Sequence, residues 1–586
     1  MDVHIVGGDP VREAVVAALE DVEVRVREGD PAGVAEADLA VVAARSGSGT
    51  LERANEAAMA GGTPWIAVEV GGVGGSGGVD AAVAGFPGIE PGCYDCLRTR
   101  VESTSGDPGG EEDGETSADA PEGAETPEVP RHVARLAGAV AGREFVSLLE
   151  DDDRSIMGQV VELPHARRRL LPVPGCECGR ERERDLGRDD DSLGVEAAVS
   201  RAEAAIDDRV GIVSTIGEVE SFPAPYYLAT IADTTAFSDA AAPTNAAGVA
   251  EDWNPAMMKA VGEALERYCA GVYRETDFHH APPADLGRAV SPTDLVRPDS
   301  APEIDPDAER RWVAGEELST GESAYLPAAA VQFPQPGKRL VPAITTGLGL
   351  GSSTVGALLA GLTETIERDA AMLSWYSTYE PLELAVDDEG FEALAGRARG
   401  EGLSVTPLLV TQDVDVPVVA CAVSREGEWP RFAIGSAAGL DANAAARGAL
   451  EEAIQNWMEL RSMGEEGSDA ASGAIGEYAD FPERVREFLD CEGRVPADSV
   501  GPDPVPEGSE ALDAVVSRVE ASGLTPYAAR ITTPDVADLG FEAVRVVVPG
   551  AQPLFTGEPF FGERAGTVPE SLGFEPRLDR EFHPYP

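Results

Sequence analysis

Three stretches far apart in the chain repeat one local arrangement. Residues 258–270, MKAVGEALERYCA, read as a helix that sets Glu263, Glu266 and Arg267 on adjoining faces of one turn, backed by Val261, Ala264, Leu265 and Tyr268. Near residue 364 the run LTETIERDAAMLSW places Glu364, Glu367 and Arg368 in the same order, followed by Asp369. A third helical run, ARGALEEAIQNWMELR, offers Glu452 and Gln455 one turn apart, between Arg447 and Arg461. Carboxylates one turn apart repel, and on helices with this much apolar backing a divalent cation between them relieves that repulsion. Solvated helix faces carrying Glu–Arg pairs would explain any one run alone. Three such runs, spaced by roughly a hundred residues, point instead to helices converging on one polyanion and its metals.

The ordered set AVGEALERYCAG, ITTGLGLGSSTVGALLAGLTETIERDA and ARGALEEAIQ resembles the signatures of the YcaO superfamily, SxxExxER, TSNGxAxG leading to ExxERD, and ExxQ, over residues 196–586. The resemblance implies a mixed α/β domain with an ATP site that lacks a Walker loop, in which Glu side chains hold Mg²⁺ and Arg and Gln side chains meet the phosphates. By match, Glu263, Glu266, Arg267, Glu364, Glu367, Arg368, Glu452 and Gln455 take those roles, with Glu263, Glu266, Glu364 and Glu367 at the metal. Ala260 stands where the first motif has Ser, and Thr346 where the second has Asn. Members that form azolines end in a PxPxP tail that reaches the ATP site. This chain ends REFHPYP, keeping Pro584 and Pro586 with Phe582 at the first position, so the resemblance makes Pro586 and Arg368 the candidate catalytic residues. A frayed terminus is the alternative for the tail.

The chain begins MDVHIVGGDPVREAVVAALEDVEVRV, which predicts a strand at 3–6, a helix at 11–19, and further strands at 38–43 and 65–70 with a helix between them. Alternating strands and helices argue a parallel, Rossmann-like sheet. Gly7-Gly8-Asp9-Pro10 is not GxGxxG, so a nucleotide is not expected there. Cys93 and Cys96 have C-x-x-C spacing, and Cys176 with Cys178 forms a second short pair. Four thiolates from two distant loops suit structural Zn²⁺; a redox pair at the first site, or unpaired core cysteines, are the alternatives. Cys269, Cys421 and Cys491 are isolated and expected to be buried small hydrophobes.

CYDCLRTR, the helical run HVARLAGAVAGREFVSLL and LLPVPGCECG are together similar to the ThiF-like (E1-like) domain fused ahead of YcaO in azole-forming peptide synthetases. That resemblance implies a degenerate adenylation domain that binds a precursor's leader peptide. The expected domains are residues 1–101, ThiF-like and Rossmann-type; 102–130, an acidic insertion expected to be disordered; 131–194, a helical and zinc-bearing segment with a linker; and 195–586, the YcaO-type domain with its tail. Within the last, residues 195–206 read as a helix, and 210–219, 226–230 and 341–346 as strands. Gly347, Gly349 and Gly351 form either a loop that presents N–H groups to phosphate or a tight turn.

With 586 residues the chain has room for about three or four domains, and 43% hydrophobic content supplies their cores. Its 105 acidic against 45 basic residues, net −60, repel nucleic acid and anionic membranes. Such acidity is similar to that of proteins from halophilic archaea, and instability is expected at low ionic strength. Residues 1–30 lack a signal peptide's pattern, no run approaches a membrane span, and seven cysteines in this length do not make a disulfide scaffold, so a cytoplasmic location is expected. The resemblances together imply ATP-dependent cyclodehydration of Cys, Ser or Thr in a precursor peptide with a leader, by a homodimer. The rival readings are YcaO-type thioamide formation with a partner protein, and a non-catalytic peptide-docking scaffold.

Overall fold

The computed structural model describes residues 1–20, 22–105, 129–149, 156–164, 166–470 and 473–586. It divides into two compact units. The first comprises Met1–Arg182, Ala204–Thr215 and Thr230–Ser238; the second comprises Glu183–Glu203, Ile216–Ala229 and Asp239–Pro586.

The first unit runs β1 (Asp2–Val6), α1 (Val11–Leu19), β2 (Arg25–Glu28), β3 (Leu39–Arg45), α2 (Gly49–Gly61), β4 (Trp65–Val70), β5 (Ala81–Phe86), α3 (Tyr94–Thr104), α4 (Arg131–Leu149), β6 (Gln159–Leu163) and β7 (Ala166–Arg169). One sheet takes all seven strands in the order β2-β1-β3-β4-β5-β6-β7. The expected parallel, Rossmann-like pairing holds through β2, β1, β3 and β4, and from β5 onward the pairing is antiparallel. Residues 71–80, GGVGGSGGVD, join β4 to β5; they are too few for a crossover helix, so the chain reverses. Apolar clusters cover both faces of the sheet, and α1 packs on α4 where Gly138 and Gly142 leave no room for a Cβ, which would fall 2.5 Å from Val11 O and 2.5 Å from the Ala18 Cβ. Of the expected insertion at 102–130, residues 102–104 complete α3, and 106–128 lie outside the described residues.

The second unit contains α5 (Val195–Ala202), the greater part of β8 (Val213–Glu220) and of β9 (Tyr226–Ile231), β10 (Asn245–Val249), α6 (Trp253–Gly271), β11 (His279–Ala281), β12 (Arg310–Glu317), β13 (Ser323–Pro327), α7 (Ala328–Val331), β14 (Leu348–Gly351), α8 (Thr354–Trp375), β15 (Leu382–Ala385), α9 (Glu389–Gly400), β16 (Ser404–Leu409), β17 (Val418–Ser424), β18 (Phe432–Ala438), α10 (Ala442–Met463), β19 (Arg494–Pro496), β20 (Tyr527–Arg530) and β21 (Glu542–Val547). Its sheets are ordered β10-β9-β8; β11-β12-β20-β21-β14 with β13 beside β12; and β18-β17-β16-β15-β19. Helix α8 touches β14 and β21 of the second sheet and β17 and β18 of the third, so it is buried along most of its length. No helix among the described residues is long and apolar enough to cross a membrane.

Several local expectations are corrected. The helix expected at 195–206 ends at Ala202 and tightens into a 3₁₀ turn, Glu203–Ala205. The following strand starts only at Val213, because the Asp207 carboxylate accepts the N–H groups of Arg209 (2.8 Å) and Val210 (2.9 Å) and holds a turn. Residues 341–346 form no strand. Pro342 lacks an N–H, and the carbonyls of Ile344 and Thr345 bond the Arg545 guanidinium, each at 2.9 Å, in place of a neighbouring strand. Gly347 turns at φ 89°, but Gly349 and Gly351 lie in β14 rather than in a phosphate loop. A Cβ at either would come within 2.6 Å of Ala357 backbone atoms, so these glycines let the strand lie against α8. Cys269 and Cys421 are buried as expected, whereas Cys491 is half-buried.

Candidate active site

Three strand–helix pairs build one cavity, and they share a design. Gly248 of β10 lies against α6, Gly349 of β14 against α8, and Gly435 of β18 against α10; a Cβ on these glycines would sit 2.3 Å from Ala256 O, 2.2 Å from Ala357 O and 2.4 Å from Ala453 N. Each helix then returns a glutamate to the backbone of its strand or the residue just before it. Glu263 accepts from Ala247 N at 2.6 Å, Glu364 from Gly347 N at 3.0 Å, and Glu452 from Ser436 N. The apolar residues of α6 (Val261, Ala264, Leu265, Tyr268) are buried, which turns its polar face to the cavity.

The cavity, of ≈ 840 Å³, is lined by Glu263, Glu266 and Arg267 from α6, by Glu364 and Arg368 from α8, by Glu452 and Gln455 from α10, and by Pro586. Glu367 stands behind Arg368, with its carboxylate 3.5 Å from the guanidinium and accepting from Ser436 Oγ at 2.7 Å. Arg368 also reaches Glu452 at 3.4 Å, and Arg267 reaches Glu263 at 2.6 Å and the Asn245 carbonyl. Gln455 donates to Glu459 at 3.1 Å, and Tyr226 OH donates to the same oxygen at 3.1 Å. Arg447 and Arg461 turn elsewhere, pairing with Asp388 and with Glu220 and Glu401. Ala260 is fully buried and lies outside the lining; Thr346 is part of it.

So many carboxylates in one place leave an electrostatic signature. Burial, then the charges of Glu364 and Glu263, push the Glu266 carboxyl up to about 8. Burial pushes Glu367 up to about 8 against the pull of Arg368, and burial also raises Glu364. Burial would lower Arg368, but Glu367, Glu452 and Glu364 hold its guanidinium above its ordinary value. Its Nη1 is buried and has no hydrogen-bond partner among the described residues. Acids that resist ionisation beside an arginine with a spare donor fit a ligand that brings cation and anion together, as Mg²⁺ with phosphates does. The carboxylate oxygens do not cluster within 4.8 Å in sets of three among the described residues, so oxygens of the ligand would complete such a cation's shell.

Sequence reasoning missed Arg545, Ser436, Tyr226 and Glu459. Arg545 was visible as one charge inside the apolar run EAVRVVV; burial lowers it to about 10, and its charge partners are Glu364 and Glu266. Glu459 lies one turn beyond Gln455 on α10. Nothing local marks Ser436 or Tyr226.

The tail is not frayed. His583 and Tyr585 are fully buried, Trp375 Nε1 donates to Glu581 O at 3.0 Å, and Arg580 lies 4.0 Å over the Trp375 ring.

In the first unit, the sulfurs of Cys93, Cys96, Cys176 and Cys178 all lie within 4.8 Å of one another. Cys93 is 4.0 Å from Cys96 and 3.6 Å from Cys176, and Cys178 is 3.4 Å from Cys96 and 3.6 Å from Cys176. A tetrahedron of Zn–S bonds of about 2.3 Å separates its sulfurs by about 3.8 Å, so the set fits Zn²⁺. Buried Arg100 on α3 donates to Leu171 O at 3.4 Å and Pro172 O at 2.8 Å, which brings the second pair against the first.

Residues 247–552 match the family model described as "YcaO cyclodehydratase, ATP-ad Mg2+-binding". An uncharacterized protein of Methanothermobacter thermautotrophicus is 28% identical over 328 residues, 53% of this chain and 81% of its own length. Among solved structures, a heterocyclase in complex with substrate and cofactor superposes with a TM-score of 0.73 at 19% identity, covering 98% of this chain and 83% of that one. YcaO from Methanopyrus kandleri, bound with AMPPCP and Mg²⁺, gives a TM-score of 0.50 at 24% identity over 62% of this chain and 95% of that one. The heterocyclase shares the fold over nearly the whole chain, and the family model spans the three strand–helix pairs that build the cavity: the chain belongs to the YcaO family.

Proposed function

We propose that this protein is an ATP- and Mg²⁺-dependent cyclodehydratase that converts Cys, Ser or Thr residues of a ribosomally made peptide into thiazolines or oxazolines. The observation that carries this reading is the convergence of Glu263, Glu266, Arg267, Glu364, Arg368, Glu452, Gln455 and Pro586 on one cavity. The family's description and the bound ligands of its relatives support it. When bound, ATP with Mg²⁺ supplies what an amide lacks, transfer of a phosphoryl group that turns the carbonyl oxygen into a good leaving group. Glu263, Glu266, Glu364 and Glu367 would hold Mg²⁺, while Arg267, Arg368 and Gln455 meet phosphate oxygens and Glu452 orients Arg368. Arg368, with a buried spare donor, would stabilise charge on the transferring group. The tail at Pro586, in the same cavity, would assist the proton transfer as the peptide side chain adds to the preceding carbonyl. In this reading the Rossmann-like unit binds the leader, the four cysteines hold structural Zn²⁺, and the protein works as a cytoplasmic homodimer.

The test is phosphate release by the full chain in molar KCl with ATP, Mg²⁺ and pooled synthetic peptides containing Cys, Ser and Thr, with peptide mass read in parallel. Loss of one water per phosphate is expected, and Glu263→Gln and Glu367→Gln abolish it. Exchange of oxygen for sulfur in the presence of sulfide would replace this reading with thioamide formation. Absence of AMPPCP binding would leave only a docking scaffold.

A further inference from the structure

Three consecutive residues of α8 leave it in different directions, since neighbours on a helix project about 100° apart. Glu367 reaches Ser436 of β18 and Arg368 reaches Glu452 of α10. Asp369 lies outside the cavity lining. Its side chain is 3% exposed; Oδ1 accepts from Gln552 N at 2.7 Å and Arg564 Nε at 3.1 Å, and Oδ2 from Arg564 Nη2 at 2.7 Å. Arg564 also donates to both oxygens of Asp413, at 3.0 Å and 2.7 Å. Gln552 closes the intervening loop on itself, accepting from Gly562 N at 2.8 Å and donating to Phe560 O at 3.1 Å.

That loop faces the cavity with Leu554 and Thr556. Between them, Phe555 meets the tail: its carbonyl lies 2.7 Å from His583 Nε2, and its ring packs on Phe582 at 5.3 Å and on His583 at 5.0 Å. Two residues past buried Tyr585's neighbour Pro584, Pro586 enters the cavity lining. We propose that Asp369, Arg564 and Asp413 are positioning residues that clamp the 552–562 loop and, through Phe555 and His583, hold Pro586 at the reaction cavity. The significance for catalysis rests on the cyclodehydratase reading, whereas the clamp itself does not. A bidentate arginine shared by two carboxylates suits this task, because its planar fork sets orientation as well as distance.

The clamp is tested in the full-length protein with Arg564→Gln, Arg564→Lys and deletion of Pro586, with Asp413→Asn as a milder second variant should Arg564→Gln fail to fold. Hydrogen exchange of residues 580–586 should accelerate at least about ten-fold in Arg564→Gln while α6 and α10 keep their protection, and Arg564→Lys should restore part of it. AMPPCP·Mg²⁺ affinity should stay within about three-fold, whereas ATP turnover falls at least about ten-fold. Deleting Pro586 in the Arg564→Gln background should then cost less than about two-fold more, because both changes remove one function. A tail that stays protected, or turnover losses that multiply, overturns the proposal. If the wild type turns over no ATP, the cyclodehydratase reading falls, and hydrogen exchange still decides the clamp.

Discussion

Glu367→Gln separates the electrostatic cost of the cavity from its use. Glu367 is buried, and its carboxyl titrates at about 8 against an ordinary 4.5. A carboxyl raised on folding binds its proton more tightly in the native state, so stability is full below pH 4.5 and declines as pH rises toward 8. At about 1.4 kcal/mol per pH unit, the interval bounds the loss at about 5 kcal/mol. The Arg368 guanidinium beside Glu367 pulls against that rise, so about half of that bound is the expected gain on substitution. Glutamine keeps the acceptor for Ser436 Oγ and lacks the charge. In urea unfolding without ligand in molar KCl, followed by tryptophan fluorescence, the variant should match the wild type near pH 5 and exceed it by about 2–3 kcal/mol at pH 8. Mg²⁺ with AMPPCP should reverse the order at pH 8, because only the wild type offers the cation that carboxylate. A gap that does not change between pH 5 and pH 8, or a variant less stable than the wild type at pH 8 without ligand, would refute the argument.

Arg545→Met should leave the Ile344 and Thr345 carbonyls without partners, costing about 2–3 kcal/mol in urea unfolding and weakening AMPPCP binding at least about ten-fold by calorimetry, since residues 344–346 line the cavity. Cys96→Ser should reduce bound zinc from one per chain to none by elemental mass spectrometry. The same variant should make the segment around Cys176 protease-sensitive, because Cys96 contacts both Cys178 and Val173 N. Dilution from molar salt to 0.1 M lengthens the Debye length from about 3 Å to about 10 Å; with a net charge of −60, the far-ultraviolet circular dichroism melting temperature should fall, and sucrose at the same ionic strength should restore it only in part.

What was legible beforehand was local. The positions of α1 and β4 follow from apolar periodicity, and the three acidic helices could be placed with their glutamates one turn apart, because a helix's faces are set by residue spacing alone. The two cysteine pairs were legible for a similar reason, as thiols at short spacing have few other uses. The edges of elements were less so. Residues 341–346 have a strand's composition, but a side chain 200 positions away takes their carbonyls. The glycines of β14 signalled a special backbone without saying whether a phosphate or a helix comes close.

From its sequence alone this protein determined three charged helices, a Rossmann-like start and a thiol-rich segment, each a consequence of interactions among residues within a few turns of one another. Only the tertiary structure decided that Glu263, Glu364 and Glu452 share a cavity, that Arg545 and Ser436 serve it, and that Asp369 turns from it toward the tail. Those outcomes depend on how strands and helices far apart along the chain pack, and close packing responds to the shape of every neighbour at once, which no local spacing contains.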